Sequence, residues 1–219
     1  MLGFEQPPSG PGPVVNRRRT PTGTSNTAML VGDYTNPILK PAAAEILKKR
    51  GEISQSGLAF PDPDAMCMYE PVPYIFWNFE IQMLQRPDKV TILYNHDHEF
   101  REVRMNQSHP AKVVPSAHGD SVGHYEGDAL VIESAGFNER TFVDATGAPH
   151  TDEMRTLERV RNIGPKQIED VITIHDPEYY SRDWQARFVY TLRNDLRIED
   201  YVCGERHRDL SSVRGVRRP

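Results

Sequence analysis

From Tyr74 onward the apolar residues of this chain recur at every second position, and that period constrains the fold more than any other feature. Phe79, Ile81 and Met83 alternate with Glu80 and Gln82 up to Arg86-Pro87-Asp88. Val90, Ile92 and Tyr94 follow, then a short run from Phe100 to Met105. Ser121–Tyr125 and Ala129–Ser134 flank Glu126-Gly127-Asp128, a tight turn that needs its glycine. Leu157–Ile163 and Gln167–His175 flank Gly164-Pro165-Lys166, and Ala186–Arg193 and Leu196–Cys203 flank Asn194-Asp195. Side chains on a strand point to opposite faces in turn, so each run predicts a strand with one buried face. The pattern predicts about nine strands in an antiparallel up-and-down meander. Such a sheet removes its edges by curling, so the expected architecture is mainly β, a lipocalin-like barrel.

The remainder of the chain is organised differently. Of 18 prolines, six lie in the first 37 residues, among Gly, Ser and Thr. This composition buries too little apolar surface to offset its ordering entropy, so 1–36 reads as an arm. Arg17-Arg18-Arg19 has no apolar run after it, which predicts no secretory signal and a cytoplasmic location. Residues 37–50 carry the one strong helix pattern: Asn36 as cap, Pro37 in the first turn, an Ala-rich centre, basic residues at the end and Gly51 as the stop. The expected division is the arm at 1–36, helix and linker at 37–58, barrel at 59–205 and a basic tail at 206–219. Thr151, before Asp152 and Glu153, predicts a short helix inside the long 135–156 connection.

Composition excludes several classes. The net charge of -5 argues against a general nucleic-acid binder. No apolar run approaches the ~18 residues of a membrane span. Two cysteines build neither a disulfide scaffold nor a Cys-rich zinc site. No P-loop, nucleophile elbow or dinucleotide glycine pattern occurs, so no ATP, NAD or flavin is implied and no cofactor is expected.

The segment Ser121–Phe137 has the form S-x-G-x-[WY]-E-G-D-x-L-V-[VI]-[DE]-[ST]-x-x-F. It resembles a pattern found in an uncharacterised family of small bacterial β-rich proteins, many of them exported. Cys67, Ile92-Leu93 before Arg101, His109-Pro110, His150-Thr151, Leu157-Glu158-Arg159, Asp176-Pro177 with Trp184, and Tyr201-Val202-Cys203 agree in order, over about residues 60–205. The resemblance implies a shared fold and no particular reaction. Tyr125 stands where Trp is commoner. Cys67 and Cys203 fall on family-like positions at the two ends of the barrel. An exported relative would join them in a disulfide, whereas a cytoplasmic protein would keep both thiols reduced.

Chemistry is suggested by ionisable residues inside core-forming strands. If Tyr94–Phe100 is a regular strand, His96 and His98 share one face with Tyr94 and Phe100, and Arg101 shares the other with Asn95, Asp97 and Glu99. Either face lining the barrel brings polar groups inward, which points to a pocket; the alternative is a strand end reaching solvent. His-x-His is also a metal-ligand spacing, completed in that case by His124, His150, Glu158 or Asp176. An inward Glu158 beside an imidazole makes an acid–base pair. Asp176-Pro177 predicts a turn, with Trp184 in position for a pocket lip.

These readings predict a cofactor-free enzyme of isomerase, cyclase, lyase or hydratase type acting on an apolar or aromatic small molecule. His98 and Arg101, His150 and Glu158, and His124 and Asp176 are the catalytic candidates. A histidine moves the proton and Arg101 holds an anionic oxygen. Tyr94, Tyr125, Phe100 and Trp184 are the candidate substrate contacts. A lipocalin-like binder without chemistry, a metal-dependent oxygenase or hydrolase, and a homo-oligomer formed through the Pro-rich arm are the competing readings.

Overall fold

The computed structural model describes residues 3–5, 13–16, 30–56, 66–77 and 80–206. Arg17–Arg19, most of the Pro-rich arm, the linker beyond Ser56, Phe79 and the tail from His207 lie outside them. The expected mainly β architecture is present. Eight consecutive strands form one curled sheet, a half-barrel: β4 (Ile81–Gln85), β5 (Lys89–Tyr94), β6 (Phe100–Met105), β7 (Asp120–Glu126), β8 (Ala129–Ala135), β9 (Arg155–Gly164), β10 (Gln167–His175) and β11 (Trp184–Thr191). The three-residue β1 (Gly3–Glu5) pairs along β11, while β2 (Pro13–Asn16) and β3 (Leu30–Gly32) make a separate two-stranded ribbon.

The meander holds with one exception. β6 and β7 are parallel, Val103 opposite Ser121 and Met105 opposite Gly123. The 106–119 connection returns the chain to the far end of the sheet before β7 begins. The β7–β8 hairpin turns at Gly127, whose φ of 63° is one that L side chains rarely adopt.

Among the described residues β4 pairs neither with β11 nor with β1, which lies along β11 at Arg187–Val189, so the sheet is open between β4 and the β1–β11 edge. Phe76, in a 3₁₀ turn at Tyr74–Trp77, occupies the concave side there. Its ring centroid is 6.4 Å from Tyr94 on β5 and 5.4 Å from Phe188 on β11. The side chain fills space that a closing pair of strands would otherwise enclose.

The expected strand Leu196–Cys203 does not form. After β11 the chain crosses to the turn that follows β5, where Glu199 N donates to Asn95 Oδ1 (2.8 Å) and Cys203 N to Asp97 Oδ1 (3.3 Å). A Cys67–Cys203 disulfide secures it, closing a separation of 136 residues. Such bonds persist in oxidising compartments. No helix of the described residues is long and apolar enough to cross a membrane.

The helix α1 runs Pro41–Ser56, later than 37–50. Asn36 closes a turn by accepting from Ile38 N (3.1 Å), and the helix starts at the second proline. Gly51 lies inside it because Val31 of β3 packs there: a Cβ at Gly51 would sit 2.9 Å from Val31 Cγ1. Ala43 and Leu47 on the same face are fully buried. Arg50 reaches from α1 to Gly147 O and lies 4.2 Å over the Phe142 ring, so the helix holds the 136–154 loop. No helix follows Thr151. Its Oγ1 accepts from Glu153 N (3.3 Å) in a single turn, because buried Met154 leads directly into β9.

Candidate functional site

The concave face of the half-barrel carries a buried polar centre. Arg101 of β6 points inward between Val103 and Tyr94. Its Nη1 and Nη2 donate to the two oxygens of Glu158 on β9, at 2.9 and 2.6 Å. Nε donates to Ser121 Oγ on β7 (2.8 Å) and Nη2 also to Ser134 Oγ on β8 (2.6 Å). The two serine hydroxyls are 2.9 Å apart. Register and the curl of the sheet explain the convergence: Val103, Ser121, Ser134 and Thr156 are laterally paired across four strands, and Arg101 and Glu158 stand two residues from that row on opposite sides of it, on the same concave face, so the long arginine side chain spans the row.

Burial alone would favour an uncharged Arg101. The Glu158 carboxylate and the neighbouring Tyr94 hydroxyl outweigh it and hold the guanidinium firmly charged. Buried Tyr94 is itself pushed well above the ordinary phenol range by burial.

Asp170 on β10 stands beside Glu158. Burial first, then the charge of Glu158, raises its carboxyl well above the usual range, and Arg101 offsets this only in part. Asp170 Oδ1 and the hydroxyl of Tyr190 on β11 are buried without a hydrogen-bond partner among the described residues. Asp170, Glu158 and Tyr190 line one cavity of about 10 Å³, room for about one water. Its other walls are apolar: Phe76, Ile81, Met83, Ile92, Val160 and Ile168. The cavity therefore lies under the open seam, between β4 and the β10–β11 pair.

Of the residues expected from sequence, Arg101, Glu158 and Tyr94 meet in this centre, and the others do not join it. Tyr94-Asn95-His96-Asp97-His98 is not one regular strand. The chain turns there, with Asp97 and His98 at φ 45° and 58° and Glu99 N donating to His96 O (2.8 Å). The turn resets the alternation. His96 is buried, while His98 is exposed with Nε2 3.3 Å from Asp200 Oδ1. The two histidines diverge, so the His-x-His ligand pair is not formed. Among the described residues no group of three or more His, Cys, Asp or Glu is arranged to hold a metal. Phe100, after the same turn, is on the outer face and 60% exposed.

His124 and Tyr125 lie at the exposed end of the β7–β8 hairpin. His124 Nε2 is 3.0 Å from Glu126 Oε1, and Tyr125 Oη donates to Gln85 Oε1 (3.2 Å). His150 is buried in the 136–154 loop with both ring nitrogens engaged, Nε2 2.7 Å from Thr141 Oγ1 and Nδ1 2.8 Å from Thr151 O. Burial lowers its pKa. Asp176 makes the expected turn: it accepts from Thr151 N (2.6 Å), Glu178 N and Tyr179 N, a loop staple. Trp184 is not a pocket lip but a core residue, edge-on to Tyr180 at 5.6 Å.

A second buried polar group lies under the C-terminal segment. Glu99 Oε1 accepts from Glu70 N (3.0 Å) and lies 3.0 Å from His96 Nδ1, and Oε2 lies 2.7 Å from His118 Nε2. Burial pushes the Glu99 carboxyl up, but His118, His96 and the Glu70 amide outweigh it and leave it lowered. Its oxygens are committed to these partners.

Sequence reasoning missed Asp170, Tyr190, Ser121 and Ser134. For Asp170 a signal existed: it shares parity with Ile168, Ile172 and Ile174 on β10, and an acid in an isoleucine row faces inward. The serines carry no such mark. Compared with models of protein families, with curated proteins and with solved structures, the chain matches none.

Proposed function

We propose that the protein is a cofactor-free acid–base enzyme, acting on a small apolar or aromatic molecule that reaches the interior between β4 and the β1–β11 edge of the sheet. The observation that carries this reading is the pair of facing carboxyls, Glu158 and Asp170, on the wall of one cavity. One is locked to Arg101 and the other has an oxygen without a partner. A buried carboxyl raised above its usual range, beside a second one fixed by an arginine, is a proton-transfer arrangement. Asp170 gives and takes the proton, Tyr190 holds the substrate oxygen, and Arg101 fixes Glu158. Isomerisation, cyclisation, elimination and addition of water each need this and no redox group. The histidines proposed from sequence have no role in it.

Proton transfer is measurable before the substrate is known. The protein is incubated in D₂O with small ketones bearing acidic C–H bonds, such as phenylacetone and 2-tetralone, and deuterium uptake is followed by NMR. The expected result is catalysed exchange that falls about 100-fold or more in Asp170→Asn and is unchanged in Tyr125→Phe. Exchange no faster than in buffer, or an Asp170→Asn variant as fast as the parent, overturns the assignment.

The apolar walls of the cavity support a second reading, a lipocalin-like carrier with no chemistry. Ligand recovered unchanged after long incubation, with no exchange, selects it.

A further inference from the structure

Two unpartnered polar atoms at the otherwise apolar wall of the seam cavity also specify what kind of group it accepts. We propose that it recognises an uncharged hydroxyl carried on a small apolar or aromatic body, and rejects anions and cations. This rests on the same cavity being the functional site, but not on its catalysing a reaction.

The first step concerns Arg101, the obvious anchor for an anion. Four of its hydrogen bonds are spent within the protein, on Ser121, Ser134 and both oxygens of Glu158. Its charge is cancelled by Glu158 in direct contact, and no basic side chain lines the cavity among the described residues. An anion entering would meet two carboxyls and no free cation, in surroundings where uncompensated charge is costly.

The second step concerns what is unspent. Asp170 Oδ1 offers an acceptor without a partner, and Tyr190 offers a hydroxyl that can donate. A hydroxyl group complements that pair: its O–H donates to Asp170 Oδ1 and its oxygen accepts from Tyr190. A carboxylate brings a charge that no uncommitted cation in the cavity compensates. An ammonium lacks the lone pair that Tyr190 needs, and its charge finds no net negative partner while Asp170 stays protonated. An apolar group satisfies neither atom.

The third step concerns size. About 10 Å³ takes one hydroxyl and no ring. The body of the ligand therefore lies outside the cavity, in the seam, against Met83, Ile81 and Ile168, each of which is only partly buried. Met83 is an unbranched side chain that repacks readily. It stands on β4, which is paired to β5 on one side and, among the described residues, unpaired on the other.

The test uses the full chain and four probes of similar size followed by ¹⁹F NMR: 4-fluorophenol, 4-fluorotoluene, 4-fluorobenzoate and 4-fluorobenzylamine. The expected result at pH 6.5 is that 4-fluorophenol binds about ten-fold or more tightly than the other three. Tyr190→Phe and Asp170→Leu each remove that preference, while Tyr125→Phe, on the outer hairpin, leaves it. Equal or tighter binding of the benzoate or the benzylamine overturns the proposal, as does a phenol affinity that the two interior variants do not change. Absence of phenol binding overturns it too and leaves the cavity as the place of a single water. Selective phenol binding without deuterium exchange in the D₂O assay leaves this proposal standing and removes the enzymatic reading.

Discussion

Glu169 and Asp170 are consecutive residues on β10, and their carboxyls are shifted in opposite directions. Glu169 takes the outward side of the strand, where its side chain is only 7% exposed and flanked by Arg187 of β11 and Arg161 of β9; the Arg161 contact is 2.9 Å. Hydrogen bonding to Arg187 is the main reason that its carboxyl is lowered. Asp170 faces inward, where burial and Glu158 raise its carboxyl. One step along the strand moves an acid from two cations to none of its own. The interior does contain an arginine, but Arg101 is already committed to Glu158. The difference between a stabilising ion pair and a proton-holding acid is thus the count of uncommitted cations on each face, rather than residue type or strand position.

The largest effect should come from taking away the interior cation. Arg101→Met leaves Glu158 and Asp170 buried without compensation and is expected to cost about 3–5 kcal/mol in urea unfolding. Adding Glu158→Gln to that variant removes the stranded charge and should recover a large part of the loss. A cost below about 1 kcal/mol, within the range of a surface ion pair, would erase the contrast between the two faces.

An intermediate effect is a pH signature. Asp170 keeps its proton in the folded state where the unfolded chain, with an ordinary value of about 3.9, has released it. Its contribution to stability is therefore full below about pH 4 and is lost as pH rises toward the raised folded value. Asp170→Asn removes this loss, so its stability relative to the parent should improve from pH 4 to pH 8, by up to about 1.4 kcal/mol per pH unit. A difference that is flat over that range would mean that the interior does not hold the proton. Glu169 has the opposite sign. Its contribution is present above its ordinary value of about 4.3 and is lost on acidification.

The smallest effect belongs to the outer face. Glu169→Gln weakens hydrogen bonds from two arginines to a covered carboxylate and is expected to cost about 1–2 kcal/mol at neutral pH, less in 1 M salt and less again below pH 4. A cost that salt does not change would show that Glu169 acts through packing rather than charge.

Much of this was legible in the chain. Alternation located the eight strands of the half-barrel to within a few residues, because a strand with one buried face imposes period two on its sequence whatever its neighbours are. The turn at Gly127 was legible for a similarly local reason. Arg101, Glu158 and Tyr94 were singled out because charge or a hydroxyl in a core-forming strand is conspicuous. The histidines failed as guides where parity failed: the turn at Asn95–His98 interrupts the alternation that was used to place them. Leu196–Cys203 reads as a strand, yet it pairs with no strand among the described residues, because the disulfide and two hydrogen bonds from its amides to the Asn95 and Asp97 side chains hold that segment against the turn.

The sequence by itself thus determined the elements and most of the inward-facing residues, since these follow from local periodicity and turn chemistry. Only the tertiary structure decided which inward groups meet. Register brought Ser121, Ser134 and Glu158 from three strands onto Arg101, spent its donors there and left Asp170 and Tyr190 unpaired at the seam. That outcome depends on lateral alignment of residues far apart in the chain, and periodicity along any one strand carries no information about it.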